Sequence, residues 1–257
     1  MNAPGRATRE RGRFGDASLV RVRAALAAGV ETLEGRREQI NALDATDGAD
    51  GDTGDNMVRT LRAVLAELDR LAGPEGRTVD EIGRAEIVAS VARAALLGAR
   101  GRAGVILSQL VRGAAEELAG RRGELIDPVL IGAALARAAD QAYGSVREPA
   151  EGTMLTVVRE LALAVEAEIA RRGGLRLAPD VTASEQDQLI AGVIRAAVGA
   201  GGDSLARDPE RLALLRQAAT TDAGGYGIIV LITGIADALG DEGPALDPER
   251  RPPPASS

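Results

Sequence analysis

Apolar residues recur at the spacing of an α-helix along almost the whole chain, and no stretch alternates convincingly between apolar and polar residues. The first such segment places Leu19, Val22, Leu26, Val30 and Leu33 on one helical face. Because the chain holds only one Phe, two Tyr and no Trp, its core must be built from Ala, Leu, Val and Ile. Such a core suits packed helices better than sheets. The pattern predicts an all-α fold.

One helical domain is predicted over residues 16–240. About nine helical segments fall inside it, on periodicity and on the residues at their ends. They cover approximately residues 18–43, 54–71, 78–98, 105–118, 128–143 and 153–171, then stretches from 184 and from 208, and residues 226–239. Residues 1–15 form a basic, polar arm and residues 241–257 a Pro-rich tail, and both are predicted to be disordered.

Two of the helix starts are predicted by residue type as well as by periodicity. Thr78 and Glu81 have the spacing of a capping box, in which each side chain bonds the backbone of the other residue. Asp127 is an N-cap residue followed by Pro128, which is favoured at the first helical position. Both signals are local and do not depend on the rest of the fold.

The residue types that are missing exclude several classes of site. The chain has no His, no Cys and no Lys, so all of its basic side chains are Arg. A Ser-His-Asp triad, a cysteine nucleophile, the usual zinc site and a Walker A loop are therefore excluded. Any metal would be a hard cation with oxygen ligands, such as Mg²⁺, Ca²⁺ or Mn²⁺.

Charge and hydropathy bear on the partners and the cellular location that we expect for the chain. A net charge of −7 with few aromatic residues argues against nucleic acid as a partner. No apolar run reaches the roughly 18 residues expected of a membrane span, and the first residues lack the apolar segment of a secretory signal. We therefore expect a cytoplasmic protein.

The most unusual segment is residues 44–57, which carries five carboxylates within twelve residues. These charges repel one another unless a cation or several backbone N–H groups compensate them. Gly51 allows Asp50 and Asp52 to reach the same ion, and the helix predicted from Gly54 offers N–H groups to an anion. Such a loop can form both halves of a metal–nucleotide site. An ordinary surface turn, with Asp52 or Thr53 as a helix cap, fits the same residues.

Three further loops rich in small residues precede predicted helices. They are residues 97–105, which include Arg100 and Arg102, residues 148–154, and residues 222–227. Each loop alone is more simply explained as a helix cap or an exposed turn. In an up-and-down barrel or bundle, however, such loops can gather at one end. That end would be rich in oxygen ligands and in N–H groups that bind anions.

In the same order along the chain, these segments resemble the motifs of the DhaL-like nucleotide-binding domain shared by dihydroxyacetone kinases and bacterial fatty-acid kinases. The matching residues are 40–43, 50–54 and 56–57, then 98–101 and 104–109, then 149, 151–153 and 155–157, and finally 208–210, 222–225 and 227. The resemblance covers roughly residues 18–240. It is closer to the fatty-acid kinase branch, because Gly98-Ala99-Arg100-Gly101 and Glu151-Gly152-Thr153 are the forms found in that branch.

This resemblance implies an up-and-down barrel of about eight main helices, with ATP or ADP bound at one end through a pair of Mg²⁺ ions. It implies that Asp50 and Asp52 are metal ligands, with a third from the start of the loop, either Asp44 or Asp47. No catalytic residue apart from the metal ligands is implied. The implied nucleotide contacts are Thr53, Gly54, Asn56, Met57, Arg100, Gly101, Arg102, Ala103, Gly104, Thr153, Asp222, Ala223 and Gly224.

The resemblance also implies a reaction and a partner. ATP would phosphorylate a substrate held by a separate fatty-acid-binding or dihydroxyacetone-binding protein, and a homodimer is compatible with this arrangement. Because phosphoryl transfer relies on positioning and charge, the lack of His and Lys is no obstacle.

Three departures from the family pattern bear on activity. Asp55 stands where the family has Thr or Ser, Arg102-Ala103 replaces an Asn-Ser pair, and residues 45–49 are more polar than usual. Loss of the Ser hydroxyl removes a donor to phosphate. The alternative hypothesis is therefore a catalytically weak, nucleotide-binding regulatory or interaction module.

Overall fold

The structure is a computed structural model that describes residues 18–46, 50–74, 76–120, 126–147, 153–175, 181–203 and 222–240. Within these ranges the chain forms ten helices and no strand. The helices are α1 (Ser18–Gly35), α2 (Arg37–Thr46), α3 (Thr53–Ala72), α4 (Val79–Ile82), α5 (Arg84–Gly98), α6 (Gly101–Gly120), α7 (Pro128–Ser145), α8 (Met154–Arg171), α9 (Ala183–Asp203) and α10 (Ala223–Gly240). The prediction of an all-α fold is confirmed.

The eight long helices close into a barrel. In order around the ring, α1 packs on α3, α3 on α5, and each later helix on the next, until α10 returns to α1. Ion pairs from Arg23 to Asp69 and from Glu34 to Arg62 show that α1 and α3 run in opposite directions. This arrangement is the predicted up-and-down barrel, and the short helix α2 lies outside the ring, against α3 and α10.

The inside of the barrel is filled by aliphatic side chains and methionine. Its fully buried members include Leu33, Met57, Leu61, Leu107 and Leu155, and each buried side chain of this size contributes about 1.5–3 kcal/mol. Two helices of the wall approach closely where α1 crosses α10. A Cβ at Gly29 would lie 2.8 Å from the Leu231 carbonyl oxygen, so this crossing requires glycine.

Among the described helices, α10 alone is long and apolar enough to cross a membrane on length and composition. Half of its residues are buried within the protein. It packs between α1 and α9 and also touches α8 across the ring. Its apolar character is accounted for by its place in the wall of the barrel.

Two helices predicted as continuous are each divided by a glycine. The segment predicted over residues 18–43 breaks after Gly35, a weak helix former, and the chain resumes as α2. The segment predicted over residues 78–98 breaks at Gly83, whose φ of 95° lies outside the helical region. Periodicity alone did not separate these pieces, because the apolar faces continue across each break.

Two other helices begin earlier than predicted. Helix α6 starts at Gly101 and not at Val105, and α10 starts at Ala223 and not at Tyr226. Glycines in these segments, expected to form loops, instead occupy first helical turns.

Several predictions concern residues outside the described ranges. These are the arm at residues 1–15, Asp47, residues 148–152 of the third motif, the short helix from residue 208, and the tail at residues 241–257.

Candidate functional site

The first turns of α3, α6 and α10 meet at one end of the barrel. A Cβ at Gly101, the first residue of α6, would lie 2.5 Å from Asn56 Nδ2 in α3. A Cβ at Gly227 in α10 would lie 2.6 Å from Met57 Sδ, also in α3. The absence of a side chain at both glycines therefore brings three helix N-termini together.

Helix α8 joins this group through its first residue. A Cβ at Gly224 would lie 2.8 Å from Met154 Cε, and the Met154 N–H donates a hydrogen bond to the Asp222 carboxylate. The four segments singled out in the sequence thus contribute to one end of the fold. Helix N-termini carry partial positive charge, so this end suits an anion.

Asp222 is a half-buried carboxylate at this end. Burial raises its pKa, while hydrogen bonds from the N–H groups of Gly225 and Met154 act in the opposite direction. The charge of Arg102 also lowers the pKa, and the charge of Asp44 raises it. Asp222, Arg102 and Asp44 come from three separate segments and share one electrostatic environment.

The acidic segment is organised by α2. Asp44 Oδ2 accepts hydrogen bonds from the N–H groups of Asp52 and Thr53, at 3.1 and 3.2 Å. Asn41 Oδ1 accepts from the N–H groups of Gly54 and Asp55, at 2.7 and 3.3 Å. The N–H groups that the sequence assigned to an anion at the start of α3 are therefore already bonded by side chains of α2.

These bonds place two of the three predicted metal ligands side by side. Asp44 is bonded to the backbone of Asp52, whereas Asp50 lies on the exposed start of the loop, before Gly51 with its φ of 69°. Within the described ranges, no three acidic side chains are grouped closely enough to hold a metal ion. The structure thus brings the Asp44 carboxylate to the backbone of Asp52.

Asp55 carries a negative charge at the position where the family has Thr or Ser. In the structure its Oδ1 lies 3.3 Å from Arg37 Nε, and its Oδ2 accepts a hydrogen bond from Asn41 Nδ2 at 2.9 Å. Its charge is balanced by α2. The contribution of Arg37 was missed in the sequence, because no local spacing connects residues 37 and 55 across a turn.

The second motif is more helical than expected. Only Ala99 and Arg100 separate α5 from α6, and Arg100 donates hydrogen bonds to the carbonyl oxygens of Leu97 and Ala99. Arg102 is exposed, while Ala103 packs against the core and Gly104 is buried. In the other motifs, Thr153 directly precedes α8, and Ala223 and Gly224 are buried in the first turn of α10.

A cleft of about 730 Å³ opens beside the first turns of α3 and α6. Asp52, Asn56 and Gly101 line it together with four arginines, Arg37, Arg59, Arg62 and Arg100. Arg37 and Arg62 are paired with Asp55 and Glu34. Within the described part of the chain, Arg59 and Arg100 have no carboxylate partner, so positive charge in the cleft is left for a ligand.

Comparison with known proteins finds one matching family model and several relatives of similar identity. A family model described as the DAK2 domain matches residues 48–237. The chain is 29% identical over 217 residues to Protein YloV of Bacillus subtilis (strain 168), covering 84% of this chain and 35% of that protein. It is 29% identical over 228 residues to Uncharacterized protein SERP0792 of Staphylococcus epidermidis, covering 86% and 36%. It is 28% identical over 214 residues to Uncharacterized protein SAUSA300_1119 of Staphylococcus aureus, covering 83% and 34%.

The chain therefore spans about a third of the length of the curated relatives it matches. The family match runs from the acidic loop to the last turn of α10, and it begins after α2. Asn41 and Asp44 lie before the matched range.

Proposed function

The chain belongs to the DAK2 domain family of DhaL-like, kinase-related nucleotide-binding subunits, and on that premise we propose that it binds ATP with Mg²⁺ and transfers the γ-phosphate to a substrate held by a separate protein. The observation that carries the proposal is the meeting of four helix N-termini beside a cleft with uncompensated arginines. Both features favour a polyanion.

The acidic segment supports a magnesium site. Its side chains offer only oxygen ligands, which Mg²⁺ prefers, and Mg²⁺ usually keeps several waters and takes only one or two carboxylates from the protein. Asp44, Asp50 and Asp52 are the proposed ligands, shared between the two Mg²⁺ ions that the family resemblance implies. When bound, the cation would neutralise charge on the phosphates. Asp44 is preferred to Asp47 as the third ligand because it lies against the backbone of Asp52.

The proposed contacts to the nucleotide follow the four motifs. Arg100 and Arg102 would supply charge-assisted hydrogen bonds to the phosphates, and the amide of Asn56 a neutral one. Asp222 would hold the starts of α8 and α10 in place through the hydrogen bonds it accepts from them. The other proposed contacts are Thr53, Gly54, Met57, Gly101, Ala103, Gly104, Thr153, Ala223 and Gly224. Since the Gly54 N–H is bonded to Asn41, Gly54 would contribute by its small size and not by donating.

The acceptor is proposed to come from a partner protein in the cytoplasm. Members of the family generally work with separate subunits, which supports a separate protein that carries the acceptor. A fatty acid on a carrier protein and dihydroxyacetone on a binding subunit are the two acceptors considered. The fatty acid is favoured because the motifs at residues 98–101 and 151–153 have the fatty-acid kinase form.

One observation favours a second candidate, a nucleotide-binding regulatory module with weak catalysis. The first turn of α6 consists of Gly101, Arg102, Ala103 and Gly104, and it contains no hydroxyl group. A donor that could strengthen its bond to phosphate in the transition state is therefore missing from this turn.

Phosphoryl transfer distinguishes the two candidates. The chain would be incubated with γ-labelled ATP and Mg²⁺, together with either an oleate-loaded fatty-acid-binding protein or a dihydroxyacetone-loaded subunit. The kinase proposal expects label on one acceptor and matching release of ADP. Tight nucleotide binding without transfer to either acceptor would favour the regulatory module.

A further inference from the structure

We propose that Arg37, Asn41 and Asp55 form a clamp that fixes α2 on the start of α3 and so positions Asp44 for the cation. The inference rests on the proposed function, because it concerns the proposed metal site. It assigns Asp55, which departs from the family pattern, a supporting role in the site.

Two of the clamp residues, Arg37 and Asn41, lie on one face of α2 together with Asp44. Arg37, Asn41 and Asp44 are spaced by four and three residues, so they project from the same side of this helix. All three side chains bond to residues 52–55 at the start of α3. Asn41 and Asp44 accept from the N–H groups of four successive residues, which a helix start otherwise leaves unpaired.

Asp55 is the point that both clamp residues share. One carboxylate oxygen lies near Arg37 and the other accepts from Asn41. Asn41 in turn accepts from the Gly54 and Asp55 N–H groups. A Thr or Ser at position 55 has one oxygen and no charge, so it could not hold both partners.

Besides the clamp, α2 is held by Ile40, by Leu43 against the core, and by a hydrogen bond that the Tyr226 hydroxyl donates to Gln39. Ile40 is its one fully buried side chain among those described, and most of the other side chains of the helix are exposed or half-buried. The backbones also approach closely, since a Cβ at Gly54 would lie 2.6 Å from the Arg37 carbonyl oxygen. A small rotation of α2 would carry the Asp44 carboxylate away from Asp52, and the clamp opposes this rotation.

The two carboxylate oxygens of Asp44 have different roles in this proposal. Oδ2 accepts the Asp52 and Thr53 N–H groups, which leaves Oδ1 for the cation. With the clamp intact, the carboxylate is held beside Asp52 before the cation arrives. Residues that orient metal ligands in this way typically change metal affinity about 10–100-fold when they are replaced.

The test uses Mn²⁺ as a paramagnetic stand-in for Mg²⁺ and measures its affinity, with ADP present, by water-proton relaxation. Asp55→Thr introduces the family residue, and we expect Mn²⁺ affinity to fall about tenfold. The matched control is Asp69→Thr. Asp69 is also an exposed aspartate of α3, and it is paired with Arg23 of α1 towards the other end of the helix. This control should leave Mn²⁺ affinity unchanged.

A side-chain exchange tests whether the hydrogen-bond pattern itself matters. Asn41→Asp places two carboxylates face to face and should weaken Mn²⁺ binding. In the double variant with Asp55→Asn, the amide at position 55 donates to the carboxylate at position 41, so the hydrogen bond is restored with its direction reversed. The double variant should therefore recover most of the Mn²⁺ affinity. A merely destabilising effect would not be reversed in this way, and thermal midpoints of all variants would record any loss of folding.

The outcomes separate this inference from the function it rests on. If the wild-type chain binds neither Mn²⁺ nor ADP, the proposed function fails and the clamp fails with it. If the wild type binds both, and Asp55→Thr and Asn41→Asp bind equally well, the clamp is wrong while the proposed function stands. Tighter binding by Asp55→Thr would also overturn it.

Discussion

Gly101 at the start of α6 lies directly against Asn56 in the first turn of α3, so closely that a Cβ at position 101 would come within 2.5 Å of Asn56 Nδ2. Gly101 also has a φ of 61°, which disfavours any other residue. The first and second sequence motifs thus depend on one missing side chain for their contact. The same relationship explains how residues 45 positions apart come to line one cleft.

Replacing Gly101 by Ala should therefore weaken nucleotide binding as well as the fold. We expect a loss of about 1–3 kcal/mol in unfolding free energy, from strain at this φ and from the contact with Asn56. Binding of Mg-ADP, measured by calorimetry, should fall in parallel. Gly120→Ala is the control, because Gly120 ends the same helix and a Cβ there would meet nothing within 4 Å. An unchanged affinity in Gly101→Ala would contradict this placement of the site.

Two substitutions at Asp44 should separate its roles in folding and in metal binding. Asp44→Asn keeps an oxygen that can accept from Asp52 and Thr53, so stability should stay near that of wild type. Asp44→Ala removes the cap and should cost about 1 kcal/mol. Both variants should lose Mg²⁺-dependent binding of ATP. Urea unfolding measures the stability of each variant, and calorimetry measures its binding of ATP. Full Mg²⁺ dependence in Asp44→Asn would exclude Asp44 as a ligand.

The raised pKa of Asp222 predicts a pH dependence of stability. Because burial raises this pKa in the folded state, the folded protein holds a proton that the unfolded chain releases near 3.8. Its contribution is therefore most favourable at low pH and is lost as the pH rises from 3.8 through the folded pKa. Asp222→Asn cannot titrate and should not show this loss. The unfolding free energy of the variant, relative to that of wild type, should therefore increase as the pH rises from 3.8 through the folded pKa. A difference that is flat with pH would contradict the account.

A buried ion pair fixes the barrel at the end where α1 and α9 begin. Arg21 pairs with Asp187, and their side chains are only 16% and 10% exposed. Gln186, beside Asp187, donates to the Ile126 carbonyl oxygen. Arg21→Met would leave a buried charge unpaired and should cost about 3–5 kcal/mol in unfolding free energy, without changing nucleotide affinity in the folded protein.

The exposed pair of Arg23 and Asp69 offers the comparison for that prediction. Arg23→Met should cost about 0–1 kcal/mol, because an exposed ion pair gains little over its hydrated state. Guanidinium unfolding of both variants measures the two losses. Equal losses would mean that burial does not set the strength of the pair at Arg21.

Features fixed by neighbouring residues were predictable from the sequence. The capping box of Thr78 and Glu81 forms as expected, and Asp127 accepts from the Leu130 N–H ahead of a helix that begins with Pro128. These interactions span three residues, so residue type decides them. The all-α class followed from periodicity, since each helix shows its apolar face locally, whereas the barrel was expected from the family resemblance.

Features that depend on tertiary packing were not predictable. The break after Gly35 follows from how α2 docks on α3, and the pair of Arg37 and Asp55 exists only in the folded chain. The free helix start expected at Gly54 was wrong because Asn41 and Asp44 reach it from α2. In the sequence, Asn41 and Asp44 are polar residues like those of the acidic loop, and only the fold shows that they cap the start of α3.

The central claim is that the convergent helix starts form a Mg²⁺-dependent ATP site, and thermal unfolding with and without Mg-ATP, with EDTA as control, tests it most directly. A ligand that binds only the folded state at a hundredfold excess over Kd adds about 2.7 kcal/mol of stability. We predict a clear rise in Tm with Mg-ATP that EDTA abolishes and that Asp52→Ala lacks. No shift at millimolar Mg-ATP would contradict the account.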